Sequence, residues 1–228
     1  AIEKRKVWVE WKVLRQLQIF YAEAGGTLED VARQVAIANR QLGEQALLRR
    51  DRPALDLILK YFNTFLRVDI NGKQVRGAYN LLHQYRQLAE VTTRSEHHEV
   101  TRRIADHLLY YAHTAQHAGL DFLCETVAYD LSALCELAHG IGAPDEGALR
   151  AVLLRVDLPP EQPHQDSALR GVRKAQVKLA TYYLVQGEEF HARRIFEDMR
   201  SESGERLQSI RDELQMITEA EFWEVSDR

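Results

Sequence analysis

Apolar positions recur every three to four residues along most of the chain, the spacing of one helix face, so the chain reads as a succession of helices. Residues 3–23 carry Val7, Trp8, Trp11, Leu14, Leu17, Ile19 and Phe20, and Gly25-Gly26 breaks that pattern. Thr27 is placed to cap the next helix with Asp30 answering from its first turn, and that helix runs through Val31, Val35, Ile37, Leu42 and Leu47. Asp51-Arg52-Pro53 marks a new start, since proline fits the first turn, and 54–68 follows with Leu57, Ile58, Tyr61, Phe62 and Phe65. Asn71-Gly72 turns the chain into 75–88, carrying Tyr79, Leu82 and Tyr85. Ser95 is the expected cap of a long helix through Ile104, Leu108, Tyr111 and Ala112. Gly119 then opens another through Phe122, Val127, Leu131 and Leu134. Gly140 to Pro144 ends this part and a short helix lies around 149–154. The stretch from Leu158 to Gln165, with Pro159, Pro160 and Pro163, is the one linker candidate. A last helix, about 205–222, carries Leu207, Ile210, Leu214, Ile217 and Phe222.

Residues 172–199 read as two amphipathic helices folded back on each other at Gly187. Leu179, Ala180 and Tyr183 share a face before the turn, and Ala192, Ile195, Phe196 and Met199 share one after it. Small residues at 180 and 192 let the backbones approach, Tyr183 and Phe196 fill the space beside them, and Gly187 supplies the positive φ of a helix end. The order Leu-Ala, Tyr, Gly, Ala, Phe at these intervals resembles one tetratricopeptide unit. Met199 stands where that family has a small residue, and Gly204 where it has proline. No second copy of the set recurs at the family's period of about 34 residues, and the helix spacing reads as uneven. The expected fold is all-α: an irregular α-solenoid or helical bundle of about ten helices built from helix-turn-helix hairpins, tetratricopeptide-like near its C-terminus. Its expected parts are 1–142, a short helix and linker over 143–165, and 166–228, the last packing with the first or apart from it.

With 228 residues, 45% hydrophobic and 28% charged, the chain can bury a core without staples. The net charge of −4 gives no global attraction to nucleic acid or an anionic membrane. Cys124 and Cys135 are too few for a disulfide framework and, on one helix, about 16 Å apart, so they read as buried thiols in a reducing compartment. No apolar run reaches the ~18 residues of a membrane span. The chain begins without Met, already in helical rhythm, and stops just after an aromatic cluster, which is expected of a segment of a longer protein. A membrane anchor preceding Lys4-Arg5-Lys6 is one expectation, and the start of an exposed helix is the other.

Histidine spacing invites a metal test. Glu136-Leu-Ala-His139 and Glu188-Glu-Phe-His191 fit the Glu-x-x-His of di-iron bundles, but such sites need carboxylates from two further helices. Glu188 and His139 instead sit where each complements a helix dipole. His113 and His117 are the alternative metal pair, with Asp121 and Glu125 beyond the turn at Gly119. His97-His98-Glu99 reads as an exposed first turn, and Asp106-His107 reverses the His-Asp order of metal phosphohydrolases. There is no phosphate-cradling loop, Gly-x-Ser-x-Gly elbow or activated cysteine.

Basic clusters at Arg49-Arg50-Asp51-Arg52, Arg102-Arg103, Arg173-Lys174 with Lys178, and Arg193-Arg194 are interleaved with acids and read as solvated faces. Under the tetratricopeptide resemblance, the first helix of the hairpin lines a groove. Lys174, Val177, Thr181 and Leu184 then face a bound peptide, and Lys174 with Lys178 meets its acidic side chains. Trp8, Trp11 and Trp223 are further candidate anchors. The expected function is non-catalytic: a cytoplasmic protein-protein interaction or scaffold domain that binds a protein or peptide or associates with itself, needs no cofactor and binds no nucleic acid. The alternative is a metal-binding helical enzyme or sensor.

Overall fold

A computed structural model of the chain describes residues 29–156 and 165–201, together with the helical positions Gln16 and Ile19. Among the described residues there are eight helices and no strand. They are α1 (Glu29–Leu48), α2 (Arg52–Asn71), α3 (Val75–Arg94), α4 (His98–His117), α5 (Asp121–Gly140), α6 (Glu146–Leu154), α7 (Gln165–Val185) and α8 (Glu189–Ser201). None is long and apolar enough to cross a membrane. The cap proposed at Thr27, the linker prolines, the 205–222 helix and the three tryptophans lie outside the described residues. By compactness the chain divides into Ala1–Val172 and Arg173–Arg228, a division that falls within α7.

The helix spacing of the first unit is regular, not uneven. α1 to α5 begin at 29, 52, 75, 98 and 121, each 23 residues after the last, and each is 20 residues long. The cause is a common three-residue turn. Arg50, Lys73, Glu96, Gly119 and Gly142 all have positive φ, between 54° and 72°. At each, the next residue's N–H reaches the carbonyl five back, as in Asp51 to Ala46 at 2.9 Å and Ala143 to Ala138 at 2.7 Å. The positive-φ residue's own N–H reaches three back, as in Gly119 to Gln116 at 2.8 Å. These paired bonds satisfy carbonyls that a helix end otherwise leaves open.

Counted from each helix start, the same positions are buried throughout. The seventh holds Val35, Ile58, Leu81, Ile104 and Val127; the eleventh Asn39, Phe62, Tyr85, Leu108 and Leu131; the eighteenth Ala46, Asp69, Thr92, Ala115 and Ala138. Intervals of four and seven keep these on one stripe. α1 packs on α3 and α3 on α5, while α2 packs on α4 and α4 on α6, and each helix from α1 to α5 also packs on the next in sequence. The result is two staggered rows: α1, α3, α5 and α2, α4, α6. Residues 46 apart therefore occupy equivalent places. Arg40-Gln-Leu-Gly-Glu44 and Arg86-Gln-Leu-Ala-Glu90 stand at that separation. At Gly43, α1 comes so close to α3 that a Cβ would lie 3.0 Å from both methyls of Leu88.

Local expectations meet mixed outcomes. Asp51 caps α2 through its carboxylate, which accepts from the Ala54 N–H at 3.0 Å, with proline in the first turn as expected. Ser95 does not cap α4. It closes α3, its hydroxyl donating to the Val91 carbonyl at 2.6 Å, and α4 starts three residues later behind His97. The cysteines are free and buried on α5, where burial raises Cys124 to about 12 and Cys135 well above the usual thiol range.

Candidate interaction surface

In the second unit Gly187, at φ 79°, reverses the chain between α7 and α8. The Glu188 N–H reaches the Tyr183 carbonyl at 2.8 Å and the Gly187 N–H reaches that of Leu184 at 3.0 Å, the same turn as in the array. Leu179, Ala180 and Tyr183 are buried on α7, and Ala192, Ile195 and Met199 on α8. The residue set against the Tyr183 ring is His191, at 5.3 Å between centroids. Phe196, expected to lock the facing sides beside Tyr183, is half-buried and lines a cleft instead.

That cleft, about 450 Å³, is lined by Leu184 of α7 and by Glu189, Arg193, Phe196 and Glu197 of α8. The three charged residues repeat every four positions, so acid, base and acid edge one face of α8 while Phe196 forms its apolar part. Beside it three large apolar side chains stand in solvent: Leu184 is 46% exposed, Val185 76% and Phe190 70%. Of the five residues expected to face a partner, only Leu184 lines the cleft. Lys174 and Lys178 are exposed on α7, ten and six residues earlier, about 15 and 9 Å along the helix. Thr181 is half-buried, and Val177, expected in the groove, is buried at 6% exposure.

The alternative metal pair lies on α4. The His113 Nε2 lies 3.2 Å from the Arg155 carbonyl, and His117 is exposed at the helix end. Gly119 separates them from Asp121 and Glu125, as expected, and no group of three His, Cys, Asp or Glu placed to hold a metal occurs among the described residues.

Sequence reasoning missed the polar groups that join neighbouring helices. Arg40 on α1 donates from Nε to Gln84 of α3 at 2.8 Å and also pairs with Glu44. Forty-six residues on, Arg86 pairs with Glu90 at 2.8 Å and lies 3.2 Å from Asp130 of α5. In the other row, Arg52 meets Glu99 at 2.9 Å and Arg103 meets Asp56 at 2.7 Å. Between the rows, the Tyr85 hydroxyl lies 2.5 Å from His107 Nδ1, and within the second row Asn63 Nδ2 of α2 lies 3.2 Å from the same nitrogen. Burial pushes Tyr85 well up and His107 down, which favours the neutral form of both. His98, expected in an exposed turn, is half-buried with Nδ1 2.9 Å from Asp145, whose side chain is fully buried before α6. The signal for the Arg40 and Arg86 contacts was the 46-residue recurrence of Arg-Gln-Leu-x-Glu.

No family model, curated protein or solved structure matches this chain.

Proposed function

We propose that the chain is a non-catalytic scaffold whose terminal hairpin, tetratricopeptide-like in its residue pattern, docks a helix or peptide of a partner protein. The observation that supports this is the exposure of Leu184, Val185 and Phe190 together beside the Leu184–Phe196 cleft, in a hairpin whose other large apolar residues are mostly buried. Large apolar side chains held on rigid helices make effective anchors, because little side-chain entropy is lost when they are covered. The alternating Glu189, Arg193 and Glu197 then set the partner's register by charge. In this reading the regular array serves as the support and the protein works in the cytoplasm, as a free chain or as the cytoplasmic part of an anchored one.

The test is capture of a partner by the purified chain, alongside light scattering for self-association, repeated with Leu184→Asp and Phe190→Asp. A partner or dimer lost in both variants, with the helical content unchanged, supports the reading. A wild-type chain that stays monomeric and captures nothing the variants do not also capture ends it.

A further inference from the structure

The two arginine contacts along the α1, α3, α5 row are chemically unequal. Between α1 and α3 the acceptor is the neutral amide of Gln84; at the equivalent place between α3 and α5 it is the carboxylate of Asp130. Asp130 is only 14% exposed and Arg86 22%. The approach is at ion-pair distance without hydrogen-bond alignment, and Oδ2 of Asp130 has no hydrogen-bond partner. Arg86 is already held by Glu90 on its own helix, so two carboxylates share one guanidinium.

Among the described residues, the charges that act on Asp130 are Arg86 and Glu90. His83, one turn before Arg86, is held below its usual value by burial and then by Arg86, and is neutral near pH 7. On α1, Arg40 is engaged by Glu44 and Gln84. From the α6 side, Glu146, Arg150 and Asp145 act on α5 at Cys135. From α4, Arg103 is paired with Asp56. Taken with Arg40 and Glu44, the cluster has two arginines facing three carboxylates, one negative charge in excess, in a half-buried seam. Such an excess is relieved most cheaply by a proton on its most buried member.

We propose that this seam makes the α3–α5 joint a proton-operated hinge: with Asp130 neutral the two helices close on each other, and with it ionised the joint loosens and admits water. The Arg40–Gln84 joint, lacking the acid, stays closed at either pH. Burial raises the Asp130 carboxyl to about 7, with Arg86 pulling the other way and Glu90 adding to the rise. An unfolded aspartate releases its proton near 3.9. Between those values the folded chain binds more protons than the unfolded one. The stability that Asp130 contributes is therefore full below about pH 4 and lost as pH rises through about 7.

The experiment follows the thermal midpoint of the full chain from pH 5 to 8.5 in wild type and Asp130→Asn, and the side-chain carboxyl carbon of Asp130 by NMR. The wild-type midpoint is expected to fall by roughly 5 °C more than the variant's across the range. The carboxyl should titrate near neutrality. Amide exchange, corrected for its intrinsic pH dependence, should accelerate in α5 from pH 6 to 8 and not in α1. Parallel midpoint curves, a carboxyl titrating near 4, or equal acceleration in α1 and α5 would each overturn the hinge. If Asp130→Asn does not fold, the wild-type carboxyl titration and exchange pattern decide alone.

Discussion

In the array, the eleventh helix position carries Phe62 and Tyr85, fully buried and stacked at 4.6 Å between centroids with 14° between planes. In the hairpin, α7 and α8 are joined by the same kind of turn, yet Phe190, Leu184 and Val185 are left in solvent. The array also leaves large apolar side chains in solvent, Leu48 at 86%, Tyr110 at 58% and Phe122 at 56%, so what sets the hairpin apart is that one of its exposed residues, Leu184, lines a cleft with Phe196. Truncations should separate the two regions. Phe62→Ala is expected to cost about 3–5 kcal/mol by denaturant titration, since the ring's loss leaves a cavity under Tyr85. Leu184→Asp, on a side chain almost half in water, should cost well under 1 kcal/mol while removing partner capture. If Leu184→Asp destabilised as strongly as Phe62→Ala, the distinction between support and docking surface would collapse.

The seam between α4 and the start of α6 offers a second, smaller contrast. His98 is set against a fully buried Asp145, whereas its neighbour Glu99 meets Arg52 in the open, both side chains 70% exposed. Removing one partner of a buried polar pair leaves the other desolvated and unmatched, which costs about 1–3 kcal/mol or more. An exposed pair contributes little, because water and salt replace it. His98→Ala should therefore lower stability by about 2 kcal/mol and Arg52→Ala by less than about 0.5 kcal/mol, both read from urea midpoints at fixed pH.

How much of this was legible in the sequence follows from how local each cause is. Asp51 with Pro53 announces α2 because a cap and a proline act within one turn. The all-helical class was legible for the same reason, through periodicity within each helix. The 23-residue register was hidden because three of the five left-handed turns carry Arg50, Lys73 and Glu96, residues with no turn signature. Ser95 misled because its hydroxyl can close the helix behind it as well as open the one ahead. In the hairpin, the pattern located the turn at Gly187 and the buried faces but set Phe196 beside Tyr183, where His191 stands, while Phe196 is half-buried at the cleft. Pairs such as Arg86–Asp130 span two helices and 44 residues, so no local spacing names the partner; only the recurrence of Arg-Gln-Leu-x-Glu points to an equivalent site.

The smallest expected effect tests the register itself. A side chain with a Cβ is strained at positive φ, by about 1 kcal/mol relative to glycine, and the five turns sample both kinds of residue at one geometry. At Gly119 and Gly142 a Cβ would have no neighbour within 4 Å, so alanine there meets no steric clash and suffers only the backbone penalty. Gly142→Ala should thus cost about 1 kcal/mol. Lys73→Gly removes the same strain but adds freedom to the unfolded chain, which offsets part of the gain, so it should stabilise by about 0.5 kcal/mol. Opposite signs from the two substitutions, read as shifts in the urea midpoint with the slope unchanged, are what a shared turn requires. Loss of stability in Lys73→Gly would mean that the lysine side chain holds the α2–α3 turn by contacts of its own, and the five turns would then be alike in backbone only.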